Sequence, residues 1–165
     1  MRSITLKAVL AAGLLVAACD REPKADPDAL VKAQAYMAAN ARKEGVKTLP
    51  SGLQYQIVRS GPDTGPRPSV RDEVKVHYEG KLPDGTVFDS SFEQGSPAVF
   101  QAQNLIPAWE EIIPLMQPGD EWIVTVPPEL GYGERGSGPI PPNSVLIFRL
   151  QLIDVLKAGG GTALG

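Results

Sequence analysis

Val74-Lys75-Val76-His77-Tyr78-Glu79-Gly80 alternates apolar and polar side chains from Val74 to Glu79. Successive side chains of a β-strand point to opposite faces, so Val74, Val76 and Tyr78 share one face while Lys75, His77 and Glu79 share the other. The stretch therefore predicts a half-buried strand in a sheet with one wet face. Directly after it, Leu82-Pro83-Asp84-Gly85 supplies a turn, in which Asp-Gly is a strong hairpin signal. Before it, Leu53–Arg59 reads as another strand, closed by the turn cluster Ser60-Gly61-Pro62-Asp63-Thr64-Gly65-Pro66. Further on, Trp122, Val124 and Val126 alternate in one strand, and Leu146, Phe148, Leu150 and Leu152 in a long final one.

One short helix interrupts this series. Pro107 suits its first position, Trp109, Ile112 and Ile113 its buried side, and Glu110 and Glu111 its positive N-terminal end. Pro114 removes a backbone donor, which limits the helix to about two turns. Several antiparallel strands against one short helix make an α+β fold, with the sheet wrapped around the helix. Pro and Gly, 16 and 17 of 165 residues, fit a turn-rich domain and argue against a helical bundle.

The ends of the chain read differently. Residues 1–18 have a basic start (Arg2, Lys7) and a short apolar run from Ala8 to Ala18, a run too short to span a bilayer. The run ends in Leu15-Val16-Ala17-Ala18-Cys19, which resembles the lipobox of bacterial lipoproteins. That resemblance implies a signal peptide over 1–18, lipid on Cys19 and a periplasm-facing protein of the cell envelope, anchored to a membrane rather than spanning it. Residues 19–50 form a leader with a short helix: Asp26 caps, Pro27 takes the first position, Gly45 stops it, and Leu30, Ala33, Met37 and Ala41 make a thin stripe. Residues 51–156 are the domain. Residues 157–165, with Gly159-Gly160-Gly161, are a flexible tail.

Composition removes much familiar chemistry. A formal net charge of −3 leaves no footprint for nucleic acid. One Cys and one His exclude an intramolecular disulfide and the usual zinc sites, and no cofactor is called for. Asp72-Glu73, Glu110-Glu111 and Asp120-Glu121 are adjacent in sequence, so each pair diverges and reads as solvated charge. His77 reads as a sheet-face residue rather than a general base. Gly131-x-Gly133 and Gly136-x-Gly138 precede no amphipathic helix and do not make a phosphate loop. What remains is aromatic: Tyr78, Phe88, Phe100, Trp109, Tyr132 and Phe148 fall on inward faces or beside turn-rich loops. A hydrophobic core and a binding pocket both account for them at this level.

Five segments together resemble the FKBP-type peptidyl-prolyl cis-trans isomerases. They are Val76-His77-Tyr78-Glu79-Gly80, Asp84-Gly85-Thr86-Val87-Phe88-Asp89-Ser90-Ser91, Leu105-Ile106-Pro107-Ala108-Trp109-Glu110-Glu111, Leu130-Gly131-Tyr132-Gly133 and Ile140-Pro141-Pro142-Asn143-Ser144-Val145-Leu146-Ile147-Phe148. The lead-in from Lys43 to Tyr55 is similar to the bacterial envelope branch, including the macrophage infectivity potentiators. The resemblance implies a prolyl isomerase acting without cofactor or covalent chemistry on proline-containing, unfolded or partly folded envelope proteins, with macrolides as inhibitors. A non-catalytic proline-binding or holdase module is the other class that the same residues would serve.

Carried over residue by residue, the resemblance makes Trp109 the pocket floor and Tyr78, Phe88, Phe100 and Phe148 its walls. Leu105 and Ile106 lie at the rim, with the Ile106 N–H offered to a substrate carbonyl. Asp89 and Tyr132 supply polar contacts, and Ile140 sits on an overhanging loop. Catalytic roles thus fall to Tyr78, Phe88, Asp89, Ile106, Trp109, Tyr132 and Phe148, and substrate binding to Phe100, Leu105 and Ile140. Two positions depart from the family pattern. Ala98 stands where some members carry an aromatic, which implies a more open pocket, and Ala108 stands where Gly often precedes the Trp.

Overall fold

The alternating stretch forms the strand that organises the molecule. In a computed structural model, which describes residues 26–157, Glu73–Lys81 (β3) buries Val74, Val76 and Tyr78 and leaves Lys75, His77 and Glu79 half-covered. Cys19, the predicted signal segment and the glycine-rich tail after Lys157 lie outside the described residues. The remaining strands are Val46–Thr48 (β1), Gln54–Arg59 (β2), Val87–Ser90 (β4), Ala98–Gln101 (β5), Glu121–Val126 (β6) and Leu146–Leu156 (β7). All pair antiparallel in the order β1-β2-β6-β7-β3-β4, and β5 shares with β4 the outer edge of β3. The β3–β7 ladder runs from Glu73↔Leu156 to Lys81↔Ile147, with a bulge between Lys75 and Val76.

The hairpin joining β3 to β4 turns at Asp84-Gly85, as the sequence predicts. Gly85 adopts φ +90°, and the Leu82 N–H donates to Thr86 O at 2.9 Å. Neither β1 nor β5 was legible in the sequence. Both are short strands recruited by the open edges of β2 and β3. β1 falls within the stretch read as leader, so that leader contributes to the sheet.

Pro107–Ile112 forms a six-residue helix (α2), and Ile113–Leu115, carrying Pro114, continues as a 3₁₀ turn. Trp109, Ile112 and Ile113 are buried, in one cluster with Val74, Val76, Tyr78, Val124, Phe148, Leu150 and Leu152. Removing each large aliphatic side chain from water contributes about 1.5–3 kcal/mol. The helix thus occupies the concave side of the sheet.

The leader helix, Ala29–Asn40 (α1), starts two residues later than capping by Asp26 predicts. The Asp26 carboxylate instead accepts the Asp28 N–H at 2.9 Å, an Asx turn that competes with capping, and leaves Asp28 as the N-cap. The buried face also differs from the predicted stripe. Ala33 and Asn40 are buried, while Leu30 is 47% exposed. A polar anchor sets this rotation. Asn40 Nδ2 donates to Gln54 Oε1 at 2.9 Å and Thr125 Oγ1 at 3.3 Å, and Gln54 Nε2 donates to Met37 O at 2.9 Å.

Candidate active site

A cavity of about 330 Å³ opens between the concave sheet face, α2 and the loop that joins β6 to β7. Trp109 lies at its base because Pro107 starts α2 two residues earlier and Ile112 and Ile113 hold that helix in the core. Three rings stand edge-on to the indole: Tyr78 at 5.3 Å and 82°, Phe148 at 5.4 Å and 81°, and Phe100 at 5.7 Å and 84°. Phe88 packs edge-on against Phe148 at 5.7 Å. Edge-to-face contacts place the positive ring edge on the negative ring face, which makes the cup rigid as well as apolar.

Gly80 permits this arrangement. A Cβ at that position would lie 2.5 Å from Phe88 and 2.8 Å from Phe148, below any tolerated contact. Gly80, near the end of β3, therefore lets two cavity rings cross directly over the backbone.

Asp89, on β4, is the one charged side chain among the lining residues. Its Oδ2 accepts the Tyr78 hydroxyl at 2.5 Å. Burial, and then the hydrogen bond and charge of Asp89, push the Tyr78 phenol well above the ordinary tyrosine range, so it stays protonated and donating at neutral pH. Ile106 caps α2 in extended conformation (φ −62°, ψ 146°), and its N–H lies outside the helical hydrogen-bond ladder. The Leu105 N–H donates to Glu110 Oε1 at 3.2 Å, which ties the rim to the helix.

The β6–β7 loop brings Tyr132 and Ile140 to the mouth. Ser137 and Ile140 exchange backbone hydrogen bonds at 3.0 and 2.9 Å in a small hairpin. Gly136 (φ +66°) approaches Ile140 O so closely that a Cβ would lie 2.3 Å from it.

The structure gathers all ten expected pocket residues around this one cavity: Tyr78, Phe88, Asp89, Phe100, Leu105, Ile106, Trp109, Tyr132, Ile140 and Phe148. Ser137, Gly138 and Pro139 also line it and escaped the sequence reading. Their signal was the turn composition of Gly136-Ser137-Gly138-Pro139 immediately before Ile140. His77 lies on the other face, stacked on Phe92 at 4.7 Å with Nδ1 3.0 Å from Ser91 Oγ. Among the described residues, no cluster of His, Cys, Asp and Glu has the makings of a metal site.

Residues 65–153 match the family described as FKBP-type peptidyl-prolyl cis-trans isomerase, and residues 8–57 match the domain amino-terminal to such isomerases. The chain is 49% identical over 127 residues to the peptidyl-prolyl cis-trans isomerase Mip of Coxiella burnetii, covering 76% of this chain and 54% of that protein. It is 49% identical over 137 residues to FkpA of Aeromonas hydrophila, covering 81% and 50%. The chain spans about half the length of the curated relatives it matches. Among solved structures, a peptidyl-prolyl cis-trans isomerase of Pseudomonas syringae superposes with TM-score 0.75 at 33% identity, covering 82% of this chain and all of that one. FkpA of Escherichia coli gives TM-score 0.75 at 40% identity, covering 79% and 61%. The fold, the aromatic cup and these matches agree: the chain belongs to the FKBP-type peptidyl-prolyl cis-trans isomerase family.

Proposed function

We propose that the chain isomerises X–Pro peptide bonds in proline-containing, unfolded or partly folded proteins. The observation that carries this reading is the edge-on arrangement of Tyr78, Phe100 and Phe148 around Trp109, with one carboxylate on the wall. Rotation about an amide has a barrier of ~18–20 kcal/mol because resonance is lost on twisting. The twisted amide has less charge separation than the planar one, so an apolar, desolvated cup disfavours the planar ground state more. The prolyl ring fits the cup, and the Ile106 N–H, Tyr132 and the Tyr78–Asp89 pair hold one twisted geometry. No bond is made or broken, so no nucleophile or cofactor takes part. Each ~1.4 kcal/mol off the barrier is tenfold in rate.

The roles follow from position. Trp109 is the floor, Tyr78, Phe88, Phe100 and Phe148 the walls, Leu105, Ile106 and Ile140 the substrate-facing rim. Macrolides that present a proline-like ring compete for the same cup. A refolding assay limited by proline isomerisation tests the reading, and no acceleration at micromolar protein would overturn it. Suppressed aggregation of a proline-free client without such acceleration would instead identify a holdase.

The same proposal places the protein in the bacterial envelope, lipidated on Cys19 with the domain facing the periplasm. The support is the Leu15–Cys19 lipobox and a relative in Legionella longbeachae named "Outer membrane protein MIP", 50% identical over 128 residues. No helix among the described residues is long and apolar enough to cross a membrane. Cys19→Ser is expected to abolish incorporation of labelled fatty acid and release the protein from the membrane fraction. Unchanged fractionation would sink the anchor.

A further inference from the structure

The Tyr78 hydroxyl occupies one oxygen of the Asp89 carboxylate, and the other has a partner from outside the cavity. Gln94 Nε2 donates to Asp89 Oδ1 at 3.2 Å. Gln94 reaches it because the chain curls back after β4. The Glu93 N–H donates to Ser90 Oγ at 3.3 Å, the Gln94 N–H to Ser90 O at 3.4 Å, and the Gly95 N–H to Phe92 O at 3.2 Å, with Gly95 at φ +75°. A residue five positions along thus returns to the carboxylate.

Resting on the isomerase reading, we infer that Gln94 is a positioning residue: its amide fixes the plane of the Asp89 carboxylate and, being uncharged, leaves the whole negative charge on the cavity wall. A carboxylate held through one oxygen turns easily about its broad terminal torsion, and a second donor on the other oxygen restrains it. The choice of amide matters electrostatically. A cation here would neutralise the one charge lining the cup, and a carboxylate would repel it. The other titratable groups around Asp89 are few. Tyr78 bonds it from β3, Tyr132 lines the same cavity, and Glu93 belongs to the same turn. Glu79 and Lys81 flank its register partner Gly80 but lie on the opposite face of β3.

Because Gln94 is exposed, its replacement leaves the core intact. The full chain carrying Gln94→Ala, Gln94→Glu or Gln94→Lys is compared with wild type in kcat/KM against pH and in NMR titration of the Asp89 carboxyl. Gln94→Ala is expected to lower kcat/KM about fivefold, mainly through KM, with the profile unmoved. Gln94→Glu moves the acid limb up by about one pH unit and Gln94→Lys moves it down, and both shifts shrink in about 0.5 M salt. Equal losses in all three variants with one common profile would reduce Gln94 to a structural role. An Asp89 titration unmoved by Gln94→Glu would overturn the contact itself. Opposite NMR shifts in a protein without isomerase activity would overturn the isomerase reading while upholding the Gln94–Asp89 contact.

Discussion

The Tyr78 hydroxyl donates to Asp89 Oδ2 at 2.5 Å, joining β3 to its hairpin partner β4 at the cavity wall. Burial and the carboxylate raise the phenol's pKa above its ordinary value of 10.0, so the folded state holds this proton more tightly than the unfolded chain does. The associated stability is complete below that ordinary value and is lost as pH rises through the folded one. Urea midpoints are expected to fall above about pH 10, and Tyr78→Phe should flatten that fall. The same variant keeps the ring but loses the donor, and kcat/KM should drop about tenfold. Equal alkaline slopes in both proteins would contradict the assignment.

Gly80→Ala sets a methyl group against Phe88 and Phe148. The rings must shift or the strand must bend, at a cost of about 1–3 kcal/mol. Thermal unfolding measures the loss, and isomerase activity should fall with it because the displaced rings are cavity walls. A variant as stable as wild type would mean that the rings relax freely.

Asp89→Ala and Phe148→Ala should each lower isomerase activity more than His77→Ala. Phe148 touches both Trp109 and Phe88, while His77 stacks on Phe92 behind the sheet. Losses of tenfold or more at the first two positions, against about twofold at the third, are expected in a peptide assay. Equal losses would contradict the division of the sheet into a cavity face and an outer face.

On the outer face, Glu121 gathers Arg149 at 2.7 Å, Gln151 at 2.9 Å and Arg59 at 3.7 Å. Burial alone would raise its carboxyl, but the Arg149 hydrogen bond and charge, with Gln151 and Arg59, outweigh it and hold the pKa below the ordinary 4.5. A depressed folded value gives stability present above pH 4.5 and lost as pH falls through the folded value. Glu121→Gln should therefore lower the denaturation midpoint at pH 7 and flatten its acid-side decline, the two proteins converging once the wild-type carboxyl is protonated. An unchanged acid limb would show that the cluster adds nothing.

Asn40→Ala removes the amide donor from the buried Gln54 Oε1 and Thr125 Oγ1, while Gln54 Nε2 keeps Met37 O. An unsatisfied buried polar group costs about 1–3 kcal/mol. The loss should appear as faster proteolysis between residues 26 and 45, with the sheet still protected from hydrogen exchange. Uniform destabilisation would mean instead that α1 unfolds only together with the sheet.

The fold was legible where residues repeat at the period of their own element. β3 and β7 alternate, and Pro107 and Pro114 bracket α2, because burial on one face imposes that spacing whatever the neighbours are. β1 and β5, of three and four residues, carry no such period and exist through the ladders they complete. The face of α1 was misread for a related reason. Its docking rests on the Asn40 amide, and no apolar stripe reports a polar anchor.

The sequence by itself determined the alternating strands and the proline-bounded helix. Its five family segments hold nine of the residues that line the cavity, and Phe100 lies between two of them. Only the tertiary structure decided that these aromatics enclose a space as well as filling a core. Trp109, 5% exposed, belongs to both: it is buried in the cluster beneath the sheet and forms the base of the opening above it. The close approach at Gly80 and the return of Gln94 to Asp89 were likewise decided there. Periodicity settles which side chains share a face, whereas the distance between faces of different elements depends on sheet curvature and packing, which no local pattern encodes.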